Sequence, residues 1–215
     1  MSYINSYNYD KIGKKNLNKV LARRVYNRFL TKALSNIDKE SVIMIESPAD
    51  NYLDANISSI KTMIDNGFEG IYLSFQRPFR NICSHFEREG INLDRIFVID
   101  FASAFCKTDQ ELNPRCVNVN SNIEIEEMTK LICLTLERLT QEKRFVFVDS
   151  ISTFALHENV DDTLRFPEFL IKSIKDNKID DVTLIFNIAK DLAKKQYIEN
   201  INIYANEHIH LGLCT

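Results

Sequence analysis

Short apolar runs alternate with segments of helical periodicity along most of this chain. The apolar runs predict strands at residues 41–45, 70–75, 95–100, 145–149 and 182–188. Between them, apolar residues spaced three and four apart predict helices at residues 52–66, 78–89, 123–141 and 163–177. Strands that are apolar on both faces and alternate with helices are typical of a parallel sheet covered by helices on both sides. The pattern therefore predicts a three-layer α/β domain, with an alternating segment at 207–212 as an edge strand.

The first forty residues follow a different pattern, so we expect a separate region at 1–40 before the α/β domain at 41–215. Residues 1–14 are rich in Asn, Tyr and Ser, which predicts a loose arm. From residue 15 to 37 apolar side chains recur at helical spacing, which predicts an amphipathic helix. The apolar stripe consists of Leu17, Val20, Leu21, Val25, Phe29, Leu30, Ala33, Leu34 and Ile37.

Basic residues of this helix lie mainly off the apolar stripe. They are Lys19, Arg23, Arg24, Arg28 and Lys32. The local charge from residue 11 to 39 is +8, whereas the chain from residue 40 onward carries −10 within a total of −3. We interpret this segment first as a helix that packs on its own domain or on a neighbouring subunit, with a solvated basic face. The alternatives are that the basic face binds nucleic acid, anionic lipid or a partner helix. If the protein docks a partner, this face is the surface we expect to receive an acidic one. The acidic remainder argues against broad nucleic-acid binding.

Hydropathy and cysteine usage indicate the compartment. No apolar run approaches the roughly 18 residues that a membrane span requires, and the first residues lack the layout of a signal peptide. The five cysteines are scattered without a C-x-x-C pair, so a disulfide framework is not expected. His208 and His210 share one face of a strand but lack the partner pair that closes a zinc site. We therefore expect a cytoplasmic protein without a metal.

Polar residues follow two of the predicted strands at the edge where open α/β sheets bind ligands. After the first strand the chain reads Ser47-Pro48-Ala49-Asp50-Asn51. A phosphate-binding loop needs glycines to turn its N–H groups inward, a Lys for the phosphates and a Ser or Thr for magnesium. This segment has no Gly and no Lys, and it carries a Pro and a carboxylate. The strand at 145–149 ends in Asp149, which is followed by hydroxyl residues from Ser150 onward.

These motifs resemble those of the RecA/KaiC-type P-loop ATPases, specifically the archaeal and bacterial KaiC-like group. The similarity covers about residues 41–213 and is carried by segments 42–47, 70–76, 95–100, 147–150, 182–187 and 207–211. It implies a RecA-like, mainly parallel sheet in the order 5-1-4-3-2, with the predicted strands counted along the chain and the 42–46 strand central. It also implies that the chain ends in a hairpin.

The resemblance implies an ATPase architecture that has lost its ATPase activity. The Walker A position falls on residues 47–52, and the first Lys after it is Lys61. The acidic residue that activates the attacking water falls on Gln76, whose amide cannot accept a proton as a carboxylate does. The Walker B aspartate is matched by Asp149. The degenerate nucleotide-site positions are Ser47, Pro48, Asp50, Asn51, Gln76, Arg77, Asp149 and Ser150.

Together these features predict a non-catalytic RecA/KaiC-like protein that acts as a regulatory or scaffolding partner through protein–protein contacts. The partner is another protein or a second copy, and no catalytic residue or cofactor is expected. Two alternatives stay open: a nucleotide or small anion bound weakly at a non-Walker site near Gln76, Arg77 and Asp149, and a nucleic-acid-binding accessory role. The deciding observation is whether the crevice beside Asp149 is open or filled by side chains such as Tyr52 and Phe75.

Overall fold

A computed structural model describes residues 24–35, 37, 40–106, 112–120 and 122–211 of the chain. Within these residues seven strands form one sheet in which every neighbouring pair is parallel. The strands are β1 (Val42–Ser47), β2 (Glu69–Ser74), β3 (Ile96–Asp100), β4 (Cys116–Asn118), β5 (Arg144–Asp149), β6 (Val182–Ala189) and β7 (Glu207–His210). Their order across the sheet is β4-β3-β2-β5-β6-β1-β7. The predicted arm at 1–14, together with Lys19 and Arg23, lies outside the described residues.

Helices cover both faces of this sheet, as the doubly apolar strands predict. They are α1 (24–34), α2 (Tyr52–Asp65), α3 (Phe79–Arg88), α4 (Phe101–Cys106), α5 (Ile125–Leu136), α6 (Ile151–His157), α7 (Val160–Asp176) and α8 (Lys195–Asn202). The first three helices pack in one apolar cluster with one face of the sheet, and the other five pack in a second cluster with the opposite face. The molecule therefore has three layers.

The central strand β5 explains why these runs are apolar on both sides. Phe145 and Phe147 join the cluster under α1–α3, whereas Val146 and Val148 join the cluster under α4–α8. All four side chains are fully buried. The neighbouring strand β2 carries Gly70, where an added Cβ would lie 2.4 Å from the Phe145 ring. A side chain at position 70 would therefore displace this ring, and glycine permits the close approach of β2 to β5.

The predicted strand order 5-1-4-3-2 is wrong. In the same numbering the structure has the order 3-2-4-5-1, because β6 lies between β5 and β1 and pairs with both. The 42–46 strand is therefore next to the edge and not central. The predicted C-terminal hairpin is also wrong, since β7 pairs in parallel with β1 and not with β6. Local hydrophobic patterns identify strands, but their neighbours depend on contacts between distant segments.

Several short elements have no counterpart among the predictions. They are β4, α4, α6 and α8, each of three to eight residues. The three helices span too few turns for a helical period to be recognised in the sequence, and β4 is too short to show the alternation of a strand. The helix predicted at 163–177 begins earlier as α7, where the Asn159 side chain accepts a hydrogen bond from the Asp162 N–H and caps the helix.

Helix α1 buries only part of the predicted apolar stripe. Leu30 and Leu34 are buried as predicted, and Tyr26 is buried with them. Val25 and Phe29, however, are 51% and 50% exposed. The reason is the position of α1 beside α2, where Asn27 and Thr31 contact the Ser58 and Thr62 hydroxyls. These polar contacts turn Val25 and Phe29 outward.

Candidate functional site

The carboxyl ends of β1, β2 and β5 bring the predicted nucleotide-site positions to one edge of the sheet. Ser47 ends β1 and is followed by a 3-10 turn, Ala49–Asn51, that leads into α2. Gln76 and Arg77 follow β2, which lies beside β5. Asp149 ends β5. Ser150 then caps α6, because its side chain accepts a hydrogen bond from the Thr153 N–H.

Asp149 is fully buried at the centre of this edge, and both of its carboxylate oxygens are occupied by tyrosine hydroxyls. Tyr52 donates a hydrogen bond to Oδ1 at 2.5 Å. Tyr72 donates a hydrogen bond to Oδ2. The Arg77 Nη1 atom lies 3.9 Å from the same Oδ2. We call Tyr52 and Tyr72 the tyrosine pair.

Two buried amides hold the tyrosine pair in place. The Asn56 Nδ2 group donates to the Tyr72 hydroxyl at 3.1 Å, and the Asn187 Nδ2 group donates to the Asn56 carbonyl. Tyr52 and Asn56 are four residues apart, so they lie on one face of α2. The Tyr72 ring also stacks on Phe147 with centroids 5.4 Å apart. The network therefore links α2 to three strands of the sheet.

The protonation states follow from burial and from these contacts. Burial raises the pKa of Asp149 above its usual range, although the hydroxyls of the tyrosine pair and the Arg77 charge offset part of this effect. Burial, and then the Asp149 charge, raise the pKa values of Tyr52 and Tyr72 well above the usual value. Both tyrosines consequently remain neutral hydrogen-bond donors at neutral pH.

In the turn after β1, at residues 47–52, one backbone N–H is engaged by a carboxylate of the chain itself. The Ala49 N–H donates to Asp191 Oδ2 at 3.2 Å, and Pro48 has no N–H. The Asn51 side chain faces inward and donates to the Tyr26 hydroxyl at 3.3 Å. The Ser47 hydroxyl oxygen is buried and has no hydrogen-bond partner among the described residues. Residues 48 and 49 of this turn therefore offer no free N–H group to a ligand.

The crevice beside Asp149 is reduced to a small cavity. Its volume is about 190 Å³, and its lining includes Asp50, Tyr52, Gln76, Arg77, Ser150 and Ser152. Sites for drug-sized ligands and cofactors usually measure about 300–1,000 Å³. The Gln76 Oε1 atom accepts a hydrogen bond from Arg77 Nη1 at 2.7 Å, so this amide is also engaged.

Of the two side chains considered as fillers of the crevice, only Tyr52 occupies it. Phe75 lies on the opposite face of the sheet, where its ring centroid is 4.6 Å from that of Phe101 and 4.9 Å from that of Phe154. Two larger grooves, of about 550 and 450 Å³, lie away from Asp149. One is at the amino ends of β1 and β6, and the other is beside α3.

The structure places Asp149, Gln76 and Arg77 at one edge of the sheet. Tyr72, Asn56 and Asn187, which contact one another or Asp149 there, were not among the predicted site residues. A signal for Asn56 was present, because a helix face that buries Tyr52 also presents Asn56 one turn later. No local pattern indicates that the Tyr72 hydroxyl takes part in a hydrogen-bond network, since tyrosine is common in strands. The described basic residues Arg24, Arg28 and Lys32 lie on α1 and do not line this cavity.

Within the part of the chain that the structure describes, no group of three or more His, Cys, Asp or Glu side chains is arranged to hold a metal ion. Among the same residues, no helix is both long enough and apolar enough to cross a membrane.

The chain is similar in fold to solved archaeal structures. No family model and no curated protein matches its sequence. An uncharacterized protein of Pyrococcus horikoshii, PH0321, solved in complex with an unknown peptide, is 14% identical with a TM-score of 0.66; the match covers 84% of this chain and 81% of that one. The KaiC-like protein PH0186 of Pyrococcus horikoshii OT3 is 13% identical with a TM-score of 0.51, over 81% and 72% of the two chains. At these identities the similarity establishes a KaiC-like α/β fold.

Proposed function

We propose that this chain is a non-catalytic, KaiC-like domain that acts as a regulatory or scaffolding partner through protein contacts. The observation that carries the proposal is the hydrogen bond from Tyr52 to Asp149. In the resemblance described above, Asp149 matches the aspartate that serves the bound magnesium. Here its two oxygens are bound by the tyrosine pair, and its charge is buried.

Phosphoryl transfer depends on charge neutralisation around the phosphates and on a positioned nucleophile. Asp149 has no oxygen facing the cavity that is free of a hydrogen bond. Gln76 cannot accept a proton from water, and the turn at Ser47 offers neither a Lys nor a set of inward N–H groups. The cavity of about 190 Å³ is also smaller than nucleotide sites usually are.

Protein contact is supported by the surface of α1 and by one relative in fold. Arg24, Arg28 and Lys32 are exposed on this helix, beside the half-exposed Val25 and Phe29. Basic and apolar side chains side by side form a surface that suits an acidic partner with apolar residues. PH0321, which has this fold, was solved with a peptide bound.

A small anion in the crevice is a second candidate. Arg77 lines the cavity, and the buried Ser152 hydroxyl oxygen there has no partner among the described residues. Asp50 also lines the cavity, and Asp191 bonds to the neighbouring turn, so two carboxylates repel an anion at this position. We rank this candidate second for that reason, and nucleic-acid binding third because of the acidic main domain.

Phosphate release and calorimetry test the proposal. We expect the protein to release phosphate from ATP and magnesium no faster than buffer, and to give no binding heat at millimolar ligand. Phosphate release that disappears in Asp149→Ala, but persists in a control variant of the exposed Asp176, Asp176→Ala, would contradict the proposal. Binding heat that disappears in Arg77→Ala with inorganic phosphate as the ligand would favour the second candidate.

A further inference from the structure

One edge of the sheet ends in an exposed strand beside an apolar helix surface. Among the described residues, β7 (Glu207–His210) pairs with β1 alone and is the last strand of the sheet. Three of its four side chains are exposed, and Ile209 is buried in the cluster that contains α1. The outer side of such a strand presents backbone N–H and C=O groups without a strand partner.

Helix α1 lies over this edge. Its neighbour α2 contacts the central strands, since Tyr52 and Asn56 of α2 bond to residues of β5, β2 and β6. The Tyr26 hydroxyl of α1 accepts a hydrogen bond from Asn51, which lies just beyond the end of β1. Helix α1 also packs in the apolar cluster on the face that Ile209 and Leu211 join. The layer on this face therefore runs α3, α2, α1, with α1 above β1 and β7.

The exposed apolar residues of α1 face outward at the β7 edge. Asn27 and Thr31, which contact α2, are one turn apart on one side of the helix. At 3.6 residues per turn, Val25 and Phe29 lie on the opposite side. They therefore project beyond the sheet edge, where each is half-exposed. Arg28 and Lys32 continue this surface toward solvent.

We propose that the β7 edge and the Val25/Phe29 surface of α1 form a strand-addition site for an extended, acidic peptide segment of a partner protein. The peptide pairs its backbone with Glu207–His210, so every second side chain faces α1. Among the side chains that face α1, apolar ones pack on Val25 and Phe29 and carboxylates lie opposite Arg28 and Lys32. Backbone pairing supplies affinity in this mode, and alternate side chains supply specificity. This inference rests on the proposed protein-contact function and names the class of partner and the surface that binds it.

Charge supports this occupant over a second copy of the chain paired edge to edge. Pairing of β7 with β7 of a second copy would bring the basic residues of two α1 helices together, and these like charges repel. An extended peptide that presents carboxylates and apolar side chains on the face toward α1 matches both the basic residues and the apolar pair. The opposite sheet edge, β4, has only three residues, so it offers less backbone for pairing.

The test uses the full chain and a labelled seven-residue peptide in which every second residue is alternately valine and glutamate, with serine between them, so that valine and glutamate side chains share one face of the added strand. We expect fluorescence anisotropy to detect binding, and hydrogen exchange to slow at residues 207–211 when the peptide is added. Phe29→Asp should weaken binding at least tenfold, which corresponds to about 1.4 kcal/mol. Leu156→Asp, at a side chain that is 81% exposed elsewhere on the surface, should leave binding unchanged.

Two control peptides separate backbone pairing from simple charge attraction. One control has every second backbone nitrogen methylated. It is prepared in two forms, methylated at the odd or at the even positions, and only the form that keeps the N–H groups facing β7 should still bind. The other control replaces glutamate with lysine and should not bind. The proposal is overturned if no peptide binds or if both methylated forms bind equally. It is also overturned if the peptide leaves hydrogen exchange at 207–211 unchanged in the wild-type protein. This last measurement does not depend on the folding of any variant.

The remaining outcomes separate this inference from the proposed function. One outcome is that the peptide binds the wild-type protein without slowing hydrogen exchange at 207–211, and that binding is lost in the double variant Arg28→Glu with Lys32→Glu. This combination of results places the peptide elsewhere on α1. That result overturns the strand-addition site and leaves a protein-contact function. A mass that rises with concentration in light scattering, together with slowed exchange at 207–211 without peptide, identifies a second copy as the occupant and also overturns the inference. ATP hydrolysis, by contrast, overturns the proposed function whatever the peptide does.

Discussion

Two buried carboxylates stand at opposite ends of neighbouring strands, and their surroundings differ in kind. Glu69 begins β2, and its Oε2 atom accepts hydrogen bonds from the N–H groups of Thr140 and Gln141 at 2.7 and 3.1 Å. Its Oε1 atom lies 3.3 Å from the Arg115 guanidinium. Asp149 ends β5 and has the hydroxyls of the tyrosine pair as donors, with its nearest cation at 3.9 Å.

These surroundings move the two pKa values in opposite directions. Burial alone would raise the pKa of Glu69, but the hydrogen bonds from Thr140, Gln141 and Arg115 outweigh burial and hold it below its usual range. For Asp149, burial outweighs the hydroxyl donors and raises the pKa. Main-chain amides and a guanidinium thus stabilise a charge, whereas phenols occupy a carboxylate without fully compensating its burial. Glu69 is therefore held as an ion by its contacts, whereas Asp149, which the KaiC-like resemblance matches to a magnesium ligand, is enclosed by side chains.

The largest expected effect is at Glu69, because its contacts depend on charge. Glu69→Gln keeps the shape of the side chain but places an amide donor against donors, and we expect it to lower the free energy of unfolding by about 3 kcal/mol. Urea unfolding followed by circular dichroism measures this. The exposed Glu87 serves as the matched control, and Glu87→Gln should change the stability by less than about 0.5 kcal/mol. Equal effects of the two variants would mean that the charge of Glu69 contributes no more to stability than that of an exposed glutamate.

Removal of one hydroxyl from the tyrosine pair should have an intermediate effect. Tyr52→Phe leaves the Asp149 carboxylate buried with one donor fewer, so we expect a loss of about 1.5–2 kcal/mol in urea unfolding. Tyr204, a partly exposed tyrosine whose pKa is raised by burial and by the Glu168 charge, provides the comparison. If Tyr204→Phe lowers the free energy of unfolding as much as Tyr52→Phe does, then the hydrogen bond from Tyr52 to Asp149 stabilises the fold no more than a hydroxyl near the surface.

Asp149→Asn should change stability less than any of these, by at most about 0.5 kcal/mol. The amide has the same shape, removes the buried charge, and can accept from one tyrosine hydroxyl while it donates to the other. Thermal unfolding of this variant beside Glu69→Gln compares the two carboxylates directly. If Asp149→Asn is as destabilising as Glu69→Gln, then Asp149 also stabilises the fold as an ion, and the comparison fails.

The pH dependence of stability sharpens the contrast because the two signs are opposite. Glu69, with a lowered pKa, contributes stability above an ordinary carboxyl pKa of about 4, and this is lost as the pH falls through its folded pKa. Asp149, with a raised pKa, binds its proton more tightly when folded, so stability falls as the pH rises from about 4 through its folded pKa. Relative to the wild type, Asp149→Asn should therefore gain stability with rising pH and Glu69→Gln should lose it. Urea unfolding at a series of pH values measures both trends, and trends of the same sign would contradict the assigned shifts.

The sequence was sufficient for the layers and for the position of Asp149, but not for what surrounds it. Apolar runs that end in polar residues mark strands and their carboxyl ends, so Asp149, Gln76 and Arg77 could be assigned to one edge. The order of the strands could not be predicted, because the insertion of β6 between β5 and β1 is decided by contacts more than thirty residues apart. For the same reason Tyr72 and Asn187 could not be identified as partners of the α2 side chains.

Resonance broadening by manganese tests most directly whether Asp149 is closed to ligands. Mn²⁺ is paramagnetic, substitutes for magnesium beside ATP, and broadens the resonances of nuclei near the place where it binds. The experiment follows the amide resonances of Tyr52, Gln76 and Asp149 while Mn²⁺ and ATP are added to the full chain. The account predicts no broadening at these residues beyond that of exposed acidic positions such as Asp176. Selective broadening at Tyr52 and Asp149 that is lost in Asp149→Asn would contradict it.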